Sequence, residues 1–366
     1  MQLTNVVNFF KRIDWALLAP AFFLTLLGLL SIYSCSLTKH DFTTFYKQII
    51  FFSVSLAMVI SLQFFDWRSL KANSYLAFGF YLVGILALLG VLFFGVAIRG
   101  NQGWYKLGPI SLEPVPFMVI ALLIVLSKYF SSRHTEVVRL RIIFFSGLYV
   151  LIPVALVLLQ PDLGSALGLV ALWVGVIVFS GIRWRHLLLL IIIFSLVFTL
   201  GWIFWLKDYQ KQRILSFLNP QVDRQGVSWN VNQSKIAIGS GGILGKGLGK
   251  GSQVQYGFLP EPKTDFIFSA IAEEMGFLGV TLLFIFFSFV CWRILRIAFL
   301  AEDNFTRLFA TGLVCFFLSQ LFINVGMCLG VFPVVGIPLP FVSYGGSHLF
   351  ASYLSLGILS ALHRRS

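Results

Sequence analysis

The sequence predicts an all-α integral membrane protein, a bundle of ten transmembrane helices with a large extracytoplasmic loop between helices 7 and 8. Hydrophobic residues make up 58% of the 366 positions and charged residues only 11%, whereas a soluble domain carries roughly 25% charged residues. The apolar residues are gathered into runs of about 20, the length that crosses a bilayer as a helix. Because the mean hydropathy is +0.90, we expect a single polytopic membrane domain over residues 1–366.

The ten runs differ in length, and two of them need comment. The fourth is short, and the eighth is long enough to begin outside the hydrocarbon. Lys11 and Arg12 precede the first run as in a signal peptide, but that run has the length of a full span and no small-residue cleavage site follows it. We therefore predict an uncleaved first helix. The predicted spans cover residues 14–34, 46–64, 74–97, 115–128, 141–159, 164–180, 186–206, 265–292, 308–330 and 344–361.

The basic residues predict the orientation of the chain in the membrane. The net charge is +13, and the lysines and arginines lie between the apolar runs, which favours a role in topology over nucleic-acid binding. If successive loops alternate sides, fifteen of these residues fall on the side of the termini and four on the other, with the long 207–264 loop left out. The positive-inside rule then puts both termini in the cytoplasm. Residues 98–114, 207–264 and 331–343 face outward.

Few acidic residues lie in or beside the apolar runs, and each is a functional candidate because a charge there is costly. Asp265 opens the eighth span, where it could cap the helix, with Thr264 as a rival cap, or serve as a reactive carboxylate; we favour the reactive role. Glu273 lies on the same face roughly 12 Å deeper, at 1.5 Å per residue. For Glu273 and Glu274 we favour a structural role.

Asp162 is a second acid on the outer side, at the start of the sixth span. It has the position of a helix N-cap, a role that is compatible with a functional one. If Asp162 and Asp265 approach each other, their oxygens could share a divalent cation such as Mg²⁺ or Mn²⁺.

A glycine-rich run, 239–251, interrupts the apolar pattern within the 207–264 loop. It does not match the nucleotide-binding pattern G-x4-G-K-[ST] at either Gly-Lys pair. Two interpretations remain open: a flexible surface loop, or a nest of backbone amides beside Lys246 and Lys250 that holds a diphosphate.

Several long segments together resemble the SEDS family (shape, elongation, division and sporulation), and within it the RodA-like branch, with FtsW a close relative. They read RGNQGWYKLGPISLEP, QPDLGSAL, NQSKIAIGSGGILGKGLGKGSQ, FLPEPKTDFIF, AEEMGFLG and FINVGMCLGVFPVVGIPLPFVSYGGS, in this order. The resemblance implies a ten-helix glycosyltransferase that polymerises lipid II into glycan strands at the outer face of the bacterial cytoplasmic membrane during cell elongation. It also implies a class B penicillin-binding protein as transpeptidase partner.

The same resemblance implies residue roles. The essential aspartate of the family's T-D-F-I-F motif maps onto Asp265. The aspartate of its QPDLG motif maps onto Asp162, and the tryptophan of its W-I-x-L-G motif maps onto Trp104. Basic residues on outer segments can hold the diphosphate, since diphosphate departure needs positive charge. We expect the substrate site to comprise Arg99, Trp104, Lys106, Asp162, Gln233, Ser234, Lys235, Glu261, Lys263, Ser343, Gly345 and Gly346, with Asp265 as the catalytic base.

The chain departs from the family pattern at one point. The run after the W-x-x-L-G loop usually carries a glutamate and a lysine, and these positions are Pro116 and Val119 here. Glu113 stands in place of the usual glutamine and brings a carboxylate nearby.

Two other functions remain as alternatives. A flippase for lipid-linked precursors would use Glu273 and Glu274 as ion sites, although such a site is expected near the membrane midplane. A non-catalytic scaffold of the cell-wall machinery would be compatible with the loss of the lysine at position 119.

Overall fold

Each of the ten predicted spans coincides with an α-helix in a computed structural model of the chain. The structure describes residues 14–38, 40–64, 71, 73–98, 101–108, 110–133, 140–204, 211, 215, 217 and 226–364. The ten helices are α1 (Trp15–Leu37), α2 (Thr43–Leu62), α3 (Ser74–Phe94), α4 (Val115–Ser131), α5 (Leu140–Leu159), α6 (Leu163–Phe179), α7 (Trp184–Phe204), α10 (Ile267–Leu300), α11 (Asn304–Leu329) and α12 (Gly346–His363).

Length and hydropathy support a multi-pass membrane protein. Within the described ranges, seven of these helices are long and apolar enough to cross a membrane. The helices α4 and α6 are apolar but only 17 residues long. The helix α7 has no buried residue among those described, so its apolar surface needs a lipid environment.

Short polar side chains determine where several helices begin. Asp162 accepts a hydrogen bond from the Ser165 amide at 3.0 Å, and Asp303 accepts one from the Thr306 amide at 2.7 Å. Such caps satisfy backbone donors that have no partner within the helix. The N-cap role predicted for Asp162 is therefore confirmed.

The structure corrects the all-helical prediction in one place. Residues 96–112 form a three-stranded antiparallel sheet of β1 (Val96–Ile98), β2 (Asn101–Leu107) and β3 (Ile110–Leu112), in that order. The pattern is hard to recognise because each outer strand has only three residues. Trp104 pairs with Val96 in this sheet, and Lys106 pairs with Ser111.

Residues 226–264, the continuously described part of the 207–264 segment, include the helices α8 (Val227–Ser240) and α9 (Ser252–Gln255). The helix α8 packs against α10 and α11, and α10 also packs against α1 and α11. The helices α4 and α11 carry long runs of buried residues and form the centre of the bundle. The glycine-rich run lies between α8 and α9, so it is held at both ends.

The helix α10 is kinked at Gly276, whose φ of 66° and ψ of −163° are not helical. Such a break frees backbone groups that the helix would otherwise pair. The glycine-rich run supplies their partners: the amides of Phe277 and Leu278 donate to Gly242 and Ile243 at 2.9 and 3.1 Å.

On the other side of the break, the carbonyls of Glu273 and Glu274 accept hydrogen bonds from the glycine-rich run. The Glu273 carbonyl accepts from the Lys246 amide at 3.0 Å, and the Glu274 carbonyl accepts from the Gly247 amide at 2.9 Å. The run is thus inserted into the break of the helix. A surface loop with no fixed structure, one of the two open interpretations, does not fit these contacts.

Candidate active site

Asp265 lies in the turn that leads into α10, two residues before the helix begins. The residue at the N-cap position is Phe266, and no side chain caps this helix end. The turn is instead closed by the Glu261 carbonyl, which accepts from the amides of Thr264 at 3.2 Å and Phe266 at 3.3 Å. The N-cap position considered for Asp265 and Thr264 is therefore taken by Phe266, and the expectation that one of them occupies it is wrong.

A fully buried asparagine holds the backbone of Asp265. The side-chain amide of Asn324 on α11 donates to the Asp265 carbonyl at 3.1 Å and to the Ile337 carbonyl at 2.7 Å. One planar amide thus fixes two chain segments relative to each other. Because a buried donor without a partner is costly, this arrangement is maintained by the fold.

The segment between α11 and α12 is bonded to the same turn. The Ser343 hydroxyl donates to the Thr264 carbonyl and accepts from the Leu339 amide, both at 2.8 Å. The Tyr344 amide donates to the Lys263 carbonyl at 2.8 Å. The turn that carries Asp265 is therefore held from α11 and from the segment before α12.

The helix α2 supplies a third support. The side chain of Gln48, which is buried, donates to the Ser343 carbonyl at 3.2 Å and accepts from the Gly345 amide at 3.2 Å. Next to it, the Lys263 ammonium donates to the Thr44 hydroxyl at 2.9 Å. Gly346 packs against the Phe51 ring with no room for a side chain.

The carboxylate of Asp265 is half-exposed and faces the backbone of Gly336. Gly336 has φ +73°, and a Cβ at this position would lie 3.7 Å from the Asp265 Oδ2 atom. The 331–343 segment thus passes directly beside the carboxylate. A partly exposed carboxylate whose main chain is fixed is suited to general base chemistry.

The residues predicted on α8 lie close to the Asp265 turn, because Ser234 contacts Cys328, whose thiol donates to the Asp265 carbonyl at 3.7 Å. The buried Ser234 hydroxyl bonds to the Ser269 hydroxyl at 2.6 Å and donates to the Cys328 carbonyl at 2.7 Å, so it joins three helices. Lys235 is exposed and its side chain crosses the backbone of Gly330. Gln233 is half-buried on the same helix.

A second polar cluster lies around Asp162. Besides the Ser165 amide, its carboxylate accepts from the Ser165 hydroxyl at 2.7 Å and from the Asn101 side-chain amide at 3.1 Å. Burial raises the pKa of the nearby Glu113 carboxyl to about 8, and the negative charge of Asp162 adds to the rise. Asp162 therefore interacts electrostatically with Glu113, which lies in the segment before α4.

The positions where the family pattern is lost are apolar and packed. Pro116 and Val119 are both buried in the first two turns of α4. The glutamate and the lysine that the family pattern usually has at these two positions are thus replaced by apolar side chains. Glu113 is the ionisable residue next to them in the chain.

The two glutamates of α10 hold the glycine-rich run by their side chains as well as by their backbone. Glu273 is fully buried and accepts from the Lys246 ammonium at 2.8 Å, the Ser252 hydroxyl at 3.2 Å and the amides of Gln253 and Val254 at 2.9 and 3.1 Å. These contacts support the structural role predicted for Glu273. They also engage Lys246 inside the protein, which weakens the interpretation of this run as a diphosphate nest.

Glu274 connects the run to the first helix. One oxygen accepts from the Ser34 hydroxyl at 2.6 Å, from the Gln255 side chain at 3.2 Å and from the Gly249 amide at 3.3 Å. An ion-conducting path through these glutamates would have to break the contacts that hold the loop, which argues against the flippase alternative.

The structure brings part of the predicted site together. Asp265, Glu261, Lys263, Ser343, Gly345 and Gly346 meet at one turn. Ser234 and Lys235 lie on α8, which contacts α10 and α11 close to this turn. Trp104, Lys106 and Asp162 belong to the sheet and the start of α6, and Arg99 lies outside the described residues. Gln48 and Asn324 are not among the residues predicted from the sequence, although each is a polar residue within an apolar helix, a signal that could have identified them.

Comparisons with known proteins agree with the motifs. The family model for the FtsW/RodA/SpoVE cell cycle proteins matches residues 14–366. The peptidoglycan glycosyltransferase MrdB of Escherichia coli (strain K12) is 37% identical over 283 residues, which cover 77% of this chain and 76% of the relative.

Solved structures agree equally well. A chain from a peptidoglycan synthase complex, solved to study the coordination of polymerization and crosslinking, superposes with a TM-score of 0.82 at 31% identity, covering 96% of this chain and 98% of its own. The rod shape determining protein RodA of Thermus thermophilus superposes with a TM-score of 0.72 at 30% identity, covering 96% and 97%.

Proposed function

The chain belongs to the FtsW/RodA/SpoVE family of cell cycle proteins, and we propose that Asp265 is the general base with which it polymerises lipid II. The protein is a multi-pass membrane protein and a peptidoglycan glycosyltransferase. The observation that carries the proposal is the partly exposed Asp265 on a turn held by α11, by α2 and by the segment before α12. Fixed geometry matters because a misplacement of about 1 Å can cost a hundredfold in rate.

The chemistry is a displacement at a sugar carbon. A hydroxyl of one lipid-linked disaccharide attacks the anomeric carbon of another, a new C–O bond forms, and the bond to the diphosphate breaks. The diphosphate leaves with the electron pair, and Asp265 takes the hydroxyl proton. A base positioned in this way contributes about 10²–10⁴-fold.

The diphosphate needs positive charge as it departs. Lys263 lies two residues from Asp265, and Lys235 is exposed beside Gly330, so both can contribute. The described part of the chain holds no group of three or more His, Cys, Asp or Glu residues that could bind a metal alone.

We propose that a divalent cation, Mg²⁺ or Mn²⁺, joins the site through Asp265 together with diphosphate oxygens, because Mg²⁺ typically binds to one or two carboxylates plus substrate phosphates. Asp162 already accepts three hydrogen bonds from Ser165 and Asn101. We therefore propose that it contributes less than Asp265 to binding the cation. Polymerisation should fall after EDTA treatment and return with added Mg²⁺ or Mn²⁺. If polymerisation were undiminished after thorough EDTA treatment, the reaction would not depend on a divalent cation and this proposal would be wrong.

The same family membership supports a proposal for the partner and the topology. We propose ten spans with both termini in the cytoplasm, the 207–264 segment on the outer side, an elongation role, and a class B penicillin-binding protein as the partner that crosslinks the strands. The excess of basic residues on one side supports this orientation.

The deciding experiment measures lipid II polymerisation by the purified protein with its partner transpeptidase. Asp265→Asn should lower the rate at least a hundredfold while the melting temperature stays near that of the wild type. Glu302→Gln, an exposed acid before α11, is the matched control and should polymerise normally. Wild-type rates from Asp265→Asn would exclude Asp265 as the base, and full complementation of cells by Asp265→Ala would favour the scaffold alternative.

A further inference from the structure

The glycine-rich run carries its most exposed apolar side chains at its tip. Ile243 is 73% exposed and Leu244 is 76% exposed. Large apolar groups at the surface of a loop that faced water would be unfavourable, by about 25 cal/mol for each Å² of apolar area. The surroundings of the tip therefore decide how these side chains are accommodated.

The depth of the tip follows from α10. Trp292 marks one membrane boundary, because the Arg296 guanidinium lies 5.4 Å from its ring centroid and the adjacent Arg293 pairs with Asp14 at 2.7 Å. Phe277 is fifteen residues away along regular helix, which is about 22 Å at 1.5 Å per residue. The hydrocarbon is about 30 Å thick, so Phe277 still lies inside it, and any helix tilt places it deeper.

The tip lies at the depth of Phe277. Hydrogen bonds join the amides of Phe277 and Leu278 to the carbonyls of Gly242 and Ile243. Phe277 and Leu278 are themselves 68% and 51% exposed, and Phe277 begins an apolar groove that runs along α10 to Trp292. The side chains of Ile243 and Leu244 are therefore continuous with a surface that faces the membrane.

Most of the backbone amides that flank the tip, and the Lys246 ammonium of the run, have partners inside the protein. Backbone donors and acceptors in hydrocarbon need partners inside the protein. The amides of Gly245, Lys246 and Gly247 donate to Gly241, Glu273 and Glu274 at 2.9–3.0 Å. The one ammonium in this stretch, that of Lys246, is paired with the buried Glu273 carboxylate at 2.8 Å.

We propose that residues 241–247 form a re-entrant loop in the membrane and that Ile243 and Leu244 contact the acyl chains of the leaflet on the Asp265 side. The loop enters the hydrocarbon at the break of α10 and returns through Lys246 to the segment that leads to Asp265. This places part of the 207–264 segment within the bilayer rather than outside it. The proposal is independent of the reaction that the protein catalyses.

Spin labels measure this depth directly. Nitroxides are attached at Ile243→Cys and Leu244→Cys in a Cys315→Ala background, and the full chain is placed alone in lipid nanodiscs. Phe289→Cys, on the groove of α10, is the lipid control, and Ser111→Cys, exposed on β3, is the water control. The ratio of collision rates with oxygen and with a water-soluble nickel chelate reports the environment of each label.

Both loop labels should match the Phe289→Cys ratio and exceed the Ser111→Cys ratio several-fold. Ratios equal to that of Ser111→Cys at both positions would overturn the proposal. Protection from nickel that develops only after the partner transpeptidase is added would also overturn it, since the surface would then be a protein-docking surface.

Discussion

The side-chain amide of Asn324 donates to the main-chain carbonyl of Asp265 at 3.1 Å, from a helix that lies 59 positions further along the chain. The same amide nitrogen donates to Ile337, so α11 fixes both the turn that carries the reactive acid and the segment that passes beside its carboxylate. Asn324 contacts neither substrate nor the reacting atoms in this scheme, and it therefore acts as a positioning residue.

Asn324→Leu should lower polymerisation about tenfold to a hundredfold, because the Asp265 turn loses its buried support. The matched control is Gln320→Leu, one turn away on the same helix, where the buried amide bonds to His348 and not to Asp265. Polymerisation rate and melting temperature are measured for both. Equal losses of rate in the two variants would mean that general destabilisation, and not the position of Asp265, explains the effect.

Glu273→Gln should destabilise the protein by about 3 kcal/mol, since it removes one partner of a buried ion pair. Lys246 is left without its counter-ion, and the ordering of the glycine-rich run is weakened. Thermal unfolding in detergent measures the loss, with the exposed Glu302→Gln as the control. A double variant with Lys246→Met should recover part of the stability; if the two effects simply add, the pair is not coupled.

Stability should depend on pH through Glu113. Its folded-state pKa is raised to about 8 by burial and by the charge of Asp162, while an ordinary glutamate titrates near 4.3. The folded protein therefore holds a proton that the unfolded chain releases, and stability falls as the pH rises from the ordinary value through about 8. In Glu113→Gln this loss should be absent, which melting temperatures between pH 5 and 9 will show.

A companion variant tests the cause of that shift. Asp162→Asn removes the negative charge, so the folded-state pKa of Glu113 should drop toward the ordinary glutamate range. The fall in stability should then end at a lower pH than in the wild type, whereas in Glu113→Gln it is absent. The same pH profile in wild type and Glu113→Gln would assign the dependence to another group.

Gly245→Ala should be strongly destabilising, at more than about 1 kcal/mol, for two reasons. Gly245 has φ +79°, where a side chain is strained, and a Cβ there would overlap the Glu274 carbonyl. Gly239→Ala is the control: it lies in α8 with open space around it, and alanine is favoured over glycine in a helix by about 1 kcal/mol. Melting temperatures should therefore move in opposite directions, and a neutral Gly245→Ala would contradict the inserted-loop arrangement.

The sequence alone determined the helical segments, because hydropathy is a local property and each apolar run of about 20 residues can span a bilayer as a helix by itself. It also singled out Asp265, since an acid at the start of an apolar helix is costly unless it has a use. The strands β1 and β3 were missed because strands of three residues carry almost no periodic signal.

Only the tertiary structure decided what surrounds these residues. No local pattern connects Asn324 or Gln48 to Asp265, since the contacts join segments far apart in the chain. The glycine-rich run was ambiguous for the same reason: its glycines permit a mobile loop, an anion nest or close packing equally well. Packing decided between them, because Gly245 and Gly276 approach each other at the break of α10 and leave no space for side chains.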